Sequence, residues 1–468
     1  MDRIKKAETK DILSKVLLAA ALGIYTFAQA LLHNPDPDSY FLIDLGRYIV
    51  SNRQLPQTAY WLVKPGVPTI VQQWLCDVIN YMAYSMGGFT GTFVLGIVFN
   101  LILLAALLLY CNQEIKNRDV AINTSVFCWI VMSQFISTRP YALTIAASLL
   151  ELVLIRRFFC KDDHKVRDYF TFYLGIFSVF VFQANWQASN LFYPFLWLFC
   201  FIPEIKERRL KVRLHACTAV AAGVAGSLVS PIGIKGPLYL YYSLGTLGDF
   251  HNIEIEHPDL LSVYTVLIIA VAALMIWAGL KRTLTTEQFF LAAGSILMSC
   301  VYMRCCWTLA LPLAALLPNI RFEQRAHRIM RWGYIAAGTL CILQILNYNP
   351  VAAADTAMVQ TLPPTGSVVL YTDFNSGTYF LIEGYKVYYD ARPELYSPRI
   401  AKDKAFIEEA FNAWTGNIDY GKFISSYGFN WFAPTAGSAM DSYLADSSGY
   451  ELVYTNSESS INIYRAIS

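Results

Sequence analysis

Apolar residues in this chain gather in runs instead of alternating with polar ones. Eleven runs, at about 12–32, 90–111, 121–137, 141–158, 169–184, 187–203, 214–230, 261–280, 286–303, 305–320 and 331–347, approach the roughly 20 residues a helix needs to cross a bilayer. A further apolar segment, 71–88, carries Gln72, Gln73 and Asp77 in its first half. Lys and Arg stay preferentially on the cytoplasmic side, and strong basic clusters occur at 156–167, 203–213 and 321–331, with weaker ones at 115–118 and 281–282. The loops at 33–70, 137–140, 184–188, 231–260 and 303–305 are poor in charge or acidic. Both sets of loops keep their sides only if 71–88 lies along the interface, inside one outer loop from about 33 to 90. The basic N-terminus leads into its apolar run with no small-residue cleavage site, which predicts an uncleaved first span with the N-terminus inside. Eleven spans then put 350–468 outside. That last stretch reads differently. Strand patterns at 367–371, 386–390, 430–434, 451–455 and 461–465 mix with helical spacing near 401–414, 419–427 and 438–446, which predicts a small α/β domain.

Composition sharpens this picture. Of 468 residues 56% are hydrophobic and 15% charged, against about 25% charged in soluble proteins, which excludes an ordinary water-soluble enzyme. The net charge of +2 divides into −6 over 350–468 and +8 over the rest. A basic membrane part joined to an acidic domain argues against nucleic-acid binding. All ten cysteines precede the C-terminal domain and none forms a CxxC pair, so neither a disulfide framework nor a zinc site is indicated. The adjacent Cys305 and Cys306 read as small packing residues.

The stretch NPDPDSYFLIDLGRYIVSNRQLPQTAYW, at the exit of the first run, is the most informative. Asp36 and Asp38 flank Pro37, and Phe41, Leu45, Tyr48 and Ile49 then form one apolar helical face, the pattern of an interfacial helix. Two carboxylates at the mouth of a span suit a general base placed between a lipid and a water-soluble acceptor. The structural alternative makes Asp38 an N-cap and Asp36 a turn residue.

DPDSYFLIDLGRYIVSNRQLPQT resembles the opening of a group of bacterial multi-spanning proteins with a GT-C glycosyltransferase fold, which read "DpDlwwHlatGrwIlehGriPrtD" and then "PWVNHEWLAEVLFY". Lipid A aminoarabinose transferases and protein O-mannosyltransferases are fold relatives of that group. The resemblance continues with Arg139-Pro140 at a span end, ANWQAS (184–189), SPIGIKGPLYLY (230–241), Arg304, and DFNSGTYFLIEGYKVYYDARPELY (373–396). It implies a polytopic α-helical membrane protein of GT-C type with a C-terminal extracytoplasmic α/β domain. Its partners would be a polyprenyl-phosphate-linked sugar, an acceptor in the cell envelope and the lipid bilayer of the cell membrane. The resemblance places the base at Asp36 or Asp38, deprotonating an acceptor hydroxyl for in-line attack with inversion. The leaving phosphate needs a cation, and Arg304, Arg139 and Lys235 are the candidates, in that order. Arg304 also reads as a charge that marks the end of a span.

The departures are Gln72-Gln73 where the group has His-Glu, Gln187 where it has His, and Ile43 for another His. Asp77, one turn beyond Gln73, either supplies a compensating carboxylate or caps backbone. Trp74, Asn185, Gln187 and Glu254 (with Glu256 beside it) are the further pocket candidates, and Trp61, Trp74 and Trp186 are available to stack on sugars or to pack. His251 and His257 lie six apart, a spacing that fits no helical ligand pair, and no metal is assigned. Asp373, Gly377, Asp390 and Arg392 either bind an acceptor or hold the domain's loops. The reading is a glycosyltransferase using a lipid-linked donor. The alternatives are a non-catalytic GT-C-like lipid-binding or assembly protein, favoured by the lost Glu and His, and then a transporter or flippase, for which no internal repeat is evident.

Overall fold

The computed structural model describes residues 2–32, 34–133, 138–159, 161, 163–191, 194, 210–243, 259, 262–301, 303–320, 324–346 and 351–467. The helical part comprises α1 (Asp2–Leu32), α2 (Pro37–Asn52), α3 (Trp74–Glu114), α4 (Arg118–Ser133), α5 (Tyr141–Phe159), α6 (Val166–Trp186), α7 (Leu210–Ser227), α8 (Tyr239–Ser243), α9 (Val263–Leu280), α10 (Thr286–Val301), α11 (Ala310–Leu316) and α12 (Gln324–Leu346). After it come α13 (Val351–Gln360), β1 (Leu370–Thr372), α14 (Lys404–Thr415), α15 (Tyr420–Tyr427), β2 (Trp431–Ala433), α16 (Ala439–Asp446), β3 (Tyr450–Asn456) and β4 (Ile461–Ala466). Among the described residues, Leu13–Leu32, Trp74–Glu114 and Val263–Leu280 are long and apolar enough to cross a membrane, and four shorter apolar helices accompany them. The protein is a membrane protein. Most of the run 187–203 lies outside the described residues.

Helices in lipid associate without a hydrophobic drive, so close backbone approach through small residues carries much of the packing. A Cβ on Gly338 of α12 would fall 2.5 Å from the Ala21 carbonyl oxygen of α1, and one on Gly226 of α7 would fall 2.5 Å from that of Phe177 in α6. Around these contacts Phe99, Leu103, Trp129, Leu149, Phe180 and Leu311 form a buried core. Large side chains such as Val94, Leu101, Ile102 and Leu109 of α3 remain exposed on the outside.

The segment 71–88, read as a helix separate from the span that follows, does form its own helical piece from Trp74 up to a break at Gly87 and Gly88, and α3 comprises this piece and the apolar helix after it. Helical geometry is interrupted at Gly87 and Gly88, the latter at φ 58°, ψ −143°, a backbone region open mainly to glycine. The helix expected on the interface after Asp38 is placed differently. In α2, Ser39 through Gly46 and Ile49 are all buried, because its apolar face joins a second core. There Phe41, Leu42 and Leu45 meet Trp61 and Leu62 and, from the C-terminal part, Phe380, Val387 and Phe432.

The C-terminal sheet has the order β1-β2-β4-β3. β1 and β2 are parallel with Leu370 opposite Trp431, while β3 and β4 form an antiparallel pair with a register shift between Leu452 and Tyr454. Residues 386–390 do not form a strand. Val387 makes single bridges to Leu370 on one side and Leu62 on the other, joining the sheet to the segment after α2.

Candidate functional site

The sequence Asp36-Pro37-Asp38 starts α2 as its chemistry predicts. Proline at the first helical position has no N–H to lose there, and the Asp36 carboxylate caps the helix by accepting from the Asp38 backbone N–H at 2.9 Å. Of the two readings for this triplet the N-cap is therefore real, and it falls on Asp36 instead of Asp38. Asp38, in the first turn, sits where the helix dipole favours a negative charge. Both carboxylates face Arg139. Its Nε lies 2.9 Å from each oxygen of Asp36, and its Nη1 lies 3.1 Å from Oδ2 of Asp38. Asp36 is the more buried, with 10% of its side chain exposed against 30% for Asp38.

Residues 138–140 are sewn to three helices, which fixes Arg139. Thr138 Oγ1 and Ser39 Oγ are 2.8 Å apart, Asn80 Nδ2 donates to the Thr138 carbonyl at 3.2 Å, and Trp186 Nε1 donates to the Pro140 carbonyl at 2.8 Å. The C-terminal part closes the other side. The Tyr379 ring packs 5.0 Å from that of Tyr40, and burial together with Asp355, Asp36 and Asp38 pushes its hydroxyl upward from the ordinary tyrosine value. Tyr40 donates to Asp355 at 2.7 Å. Burial raises the Asp355 carboxyl despite that bond and those from Asn456 and Ser459. Sequence reasoning missed Tyr379, although it lies two residues from Gly377. A Cβ on Gly377 would fall 1.9 Å from the Tyr389 carbonyl oxygen, so glycine is needed for the turn that delivers the tyrosine.

The proposed pocket residues form a neighbouring network. Trp74 Nε1 donates to Asn185 Oδ1 at 2.9 Å, and Asn185 Nδ2 donates to the Val229 carbonyl at 2.7 Å. Gln187 Oε1 accepts from Thr144 at 2.8 Å and from Asn190 at 2.6 Å, and Gln72 Oε1 accepts from the Ser189 backbone N–H at 3.1 Å. Beside them is a cavity of about 670 Å³ lined by Trp74, Asn185, Phe182, Val229 and Pro231 among others. Lys235 is exposed on the short turn Gly233–Lys235. Asp77 is fully buried in the first turn of α3, with Glu394 and Arg392 as its charged neighbours. Arg304 belongs to the 3₁₀ turn Met303–Leu309, but its side chain lies outside the described residues. Glu254, Glu256, His251 and His257 lie outside them altogether.

Asp390 and Arg392 pair with each other, Nε and Nη2 of Arg392 lying 2.9 and 2.6 Å from Asp390 Oδ2. The guanidinium lies 3.4 Å over the ring of Trp61, so Trp61 stacks on protein, and Trp186 is fully buried. Asp373 accepts from Ser376 N–H and from Thr435, a loop-holding role. Among the described residues no three His, Cys, Asp or Glu side chains gather to hold a metal ion.

Apolar helices, a charged cluster at the start of the helix after the first of them, and a C-terminal part packed against that cluster make up a membrane fold that is GT-C-like by comparison with a solved enzyme. The archaeal oligosaccharyltransferase AglB from Archaeoglobus fulgidus, solved in complex with an inhibitory peptide and a dolichol-phosphate, shares that fold. The two superpose with a TM-score of 0.61 at 9% identity, over 91% of this chain and 70% of that one. No family model matches the chain, and no curated protein sequence matches it significantly.

Proposed function

We propose that this protein is a membrane glycosyltransferase that moves a sugar from a polyprenyl-phosphate donor to an acceptor at the outer face of a cell membrane. In this reading the chain crosses the bilayer several times, with its N-terminus inside and its C-terminal part outside. The observation that carries the proposal is the Asp36–Arg139–Asp38 cluster, set in a fold shared with an enzyme solved with a dolichol-phosphate. Asp38, the more exposed carboxylate, takes the proton of the acceptor hydroxyl. The acceptor oxygen bonds to the anomeric carbon as the bond from that carbon to the donor phosphate breaks, with inversion. Arg139 is drawn from Asp38 to the departing phosphate, where a guanidinium fork is well matched. Asp36 holds the arginine in place, and Arg304 and Lys235 are the further phosphate candidates.

Native mass spectrometry of gently purified protein tests this by looking for a co-purifying polyprenyl phosphate or its glycosylated form, with Arg139→Ala and Arg304→Ala beside it. Loss of the lipid-linked sugar in either variant supports the donor site, and its mass gives the sugar class. Folded wild-type protein that retains no such lipid overturns the proposal. A second reading, a non-catalytic GT-C-like lipid-binding or assembly protein, is favoured by one observation. Gln72 and Gln187, where the bacterial group has His, are spent on holding residues 187–190. Bound polyprenyl phosphate without transfer to any envelope acceptor would select it.

A further inference from the structure

At the far end of α5 from Arg139, Arg156 and Arg157 occupy the last turn. They line a polar cavity of about 490 Å³ with Gln113, Glu114 and Lys161. A second cavity, of about 810 Å³ and almost wholly apolar, runs between α3, α5 and α6 and includes Ile102, Leu109, Leu143, Leu154, Phe170 and Leu174 in its lining. Several of these side chains face outward; Ile102, Leu109, Phe170 and Leu174 are all more than 40% exposed. Gly175 also lines it, and a Cβ there would come 2.7 Å from Leu154 Cδ1, so the missing side chain deepens the groove. The two cavities follow one another along both helices, since Gln113 is one turn past Leu109 on α3 and Arg157 is three residues past Leu154 on α5.

We propose that this composite groove binds one anionic phospholipid of the leaflet facing the basic loops, its phosphate at Arg157 and Lys161 and its acyl chains between α3, α5 and α6. Length selects the occupant. From Leu143 to Leu154 the groove covers about 16 Å of helix, half of the ~30 Å hydrocarbon core, which is the depth of a single leaflet and too short for a polyprenyl chain laid along it. Charge selects the headgroup, since basic pockets between helices on the cytoplasmic side attract anionic lipids. Arg156 is held by Glu114 at 2.8 Å and reaches Glu287 at 3.6 Å, and Lys161 pairs with Asp168. Arg157 is exposed and has no ion pair among the described residues, which makes it the first cation to meet the phosphate, with Lys161 beside it in the same cavity. The site stands apart from the sugar-transfer reading, because it lies at the other end of α5.

The test is lipid retention measured by native mass spectrometry on protein released from nanodiscs of equal parts phosphatidylglycerol and phosphatidylcholine. The wild type is expected to keep one phosphatidylglycerol. Arg157→Ala with Lys161→Ala should lower that retention by about thirtyfold relative to phosphatidylcholine, as expected for two cations lost beside an anionic headgroup. Ala105→Trp, which fills the groove from an exposed position, should remove the bound lipid while leaving both cations in place. Equal retention of the two lipids by the wild type, or unchanged phosphatidylglycerol in both variants, overturns the proposal. So does a polyprenyl phosphate found in that place and lost on Arg157→Ala.

Discussion

At each end of α5 one arginine meets two carboxylates, yet the two clusters are built from different parts of the fold. Arg139 meets Asp36 and Asp38 where segments enter helices, in a geometry set by an N-cap, a proline and hydrogen bonds to residues 138–140. Arg156, in the last turn of α5, meets Glu114 at the end of α3 and Glu287 in the first turn of α10, so its geometry is set by how three helix ends pack together. Asp38 keeps 30% of its side chain exposed, whereas Glu287 keeps 4%. Equal charge content therefore allows opposite uses. A cluster that leaves one carboxylate partly exposed can exchange that partner for a ligand, while one closed in between packed helix ends loses stability if it does.

The sharpest way to break this comparison is through activity. Asp38→Asn should lower sugar transfer by at least about 100-fold, the range for loss of a general base, with folded protein retained in the membrane. Glu114→Gln should leave transfer unchanged; equal losses from the two variants would erase the distinction. Next in size is stability. Arg156→Ala removes the cation paired with Glu114 and the buried Glu287 and should cost about 3–5 kcal/mol, read as a lower Tm in detergent. Arg139→Ala should cost less, because Asp38 can turn toward water, and a larger Tm drop for Arg139→Ala would reverse the assignment. Gly377→Ala forces a methyl group onto the Tyr389 carbonyl and should destabilise the C-terminal part by about 1–3 kcal/mol. Hydrogen exchange confined to that part would show it.

The smallest effect is with pH. Burial raises the carboxyls of Asp44, Asp355 and Glu394 above their ordinary values, the pairing of Asp44 with Tyr60 and of Glu394 with Tyr239 only partly opposing it. The folded state then binds more protons than the unfolded one in the window above about pH 4. Stability in that window falls as pH rises and grows on mild acidification. Protection of the C-terminal part against proteolysis should accordingly increase from pH 7 to pH 5, and a decrease would contradict the burial of these three groups.

Much of the helical fold was legible because apolar runs of span length have few alternatives. α14, α15 and α16 were equally readable, since Asp403, Asp419 and Ser438 cap them ahead of amphipathic stretches. The pairing of Arg139 with Asp36 was not legible, because the two are 103 residues apart and nothing local to either announces the other. The pattern KVYYD failed as a strand for a related reason. Val387, Tyr388, Tyr389 and Asp390 are all buried, with Val387 bridging the sheet and the segment after α2, a packing role that an apolar run alone does not separate from a ladder. α2 misled in the same way, its apolar face having been read as meeting lipid when it meets protein.

One contact gives the candidate base a distant control point. A Cβ on Gly46 would lie 2.1 Å from the Asp77 carbonyl oxygen of α3, so α2 rests on α3 backbone against backbone. Asp36 caps the same helix ten residues earlier, about 15 Å along its axis. The helix acts as a ruler whose zero is set at Gly46. Any side chain there lifts α2 from α3 and carries the carboxylates with it, and shifts of about 1 Å at reacting groups can cost on the order of 10²-fold in rate. Alignment of the proposed chemistry is thus written into a residue that touches neither donor nor acceptor.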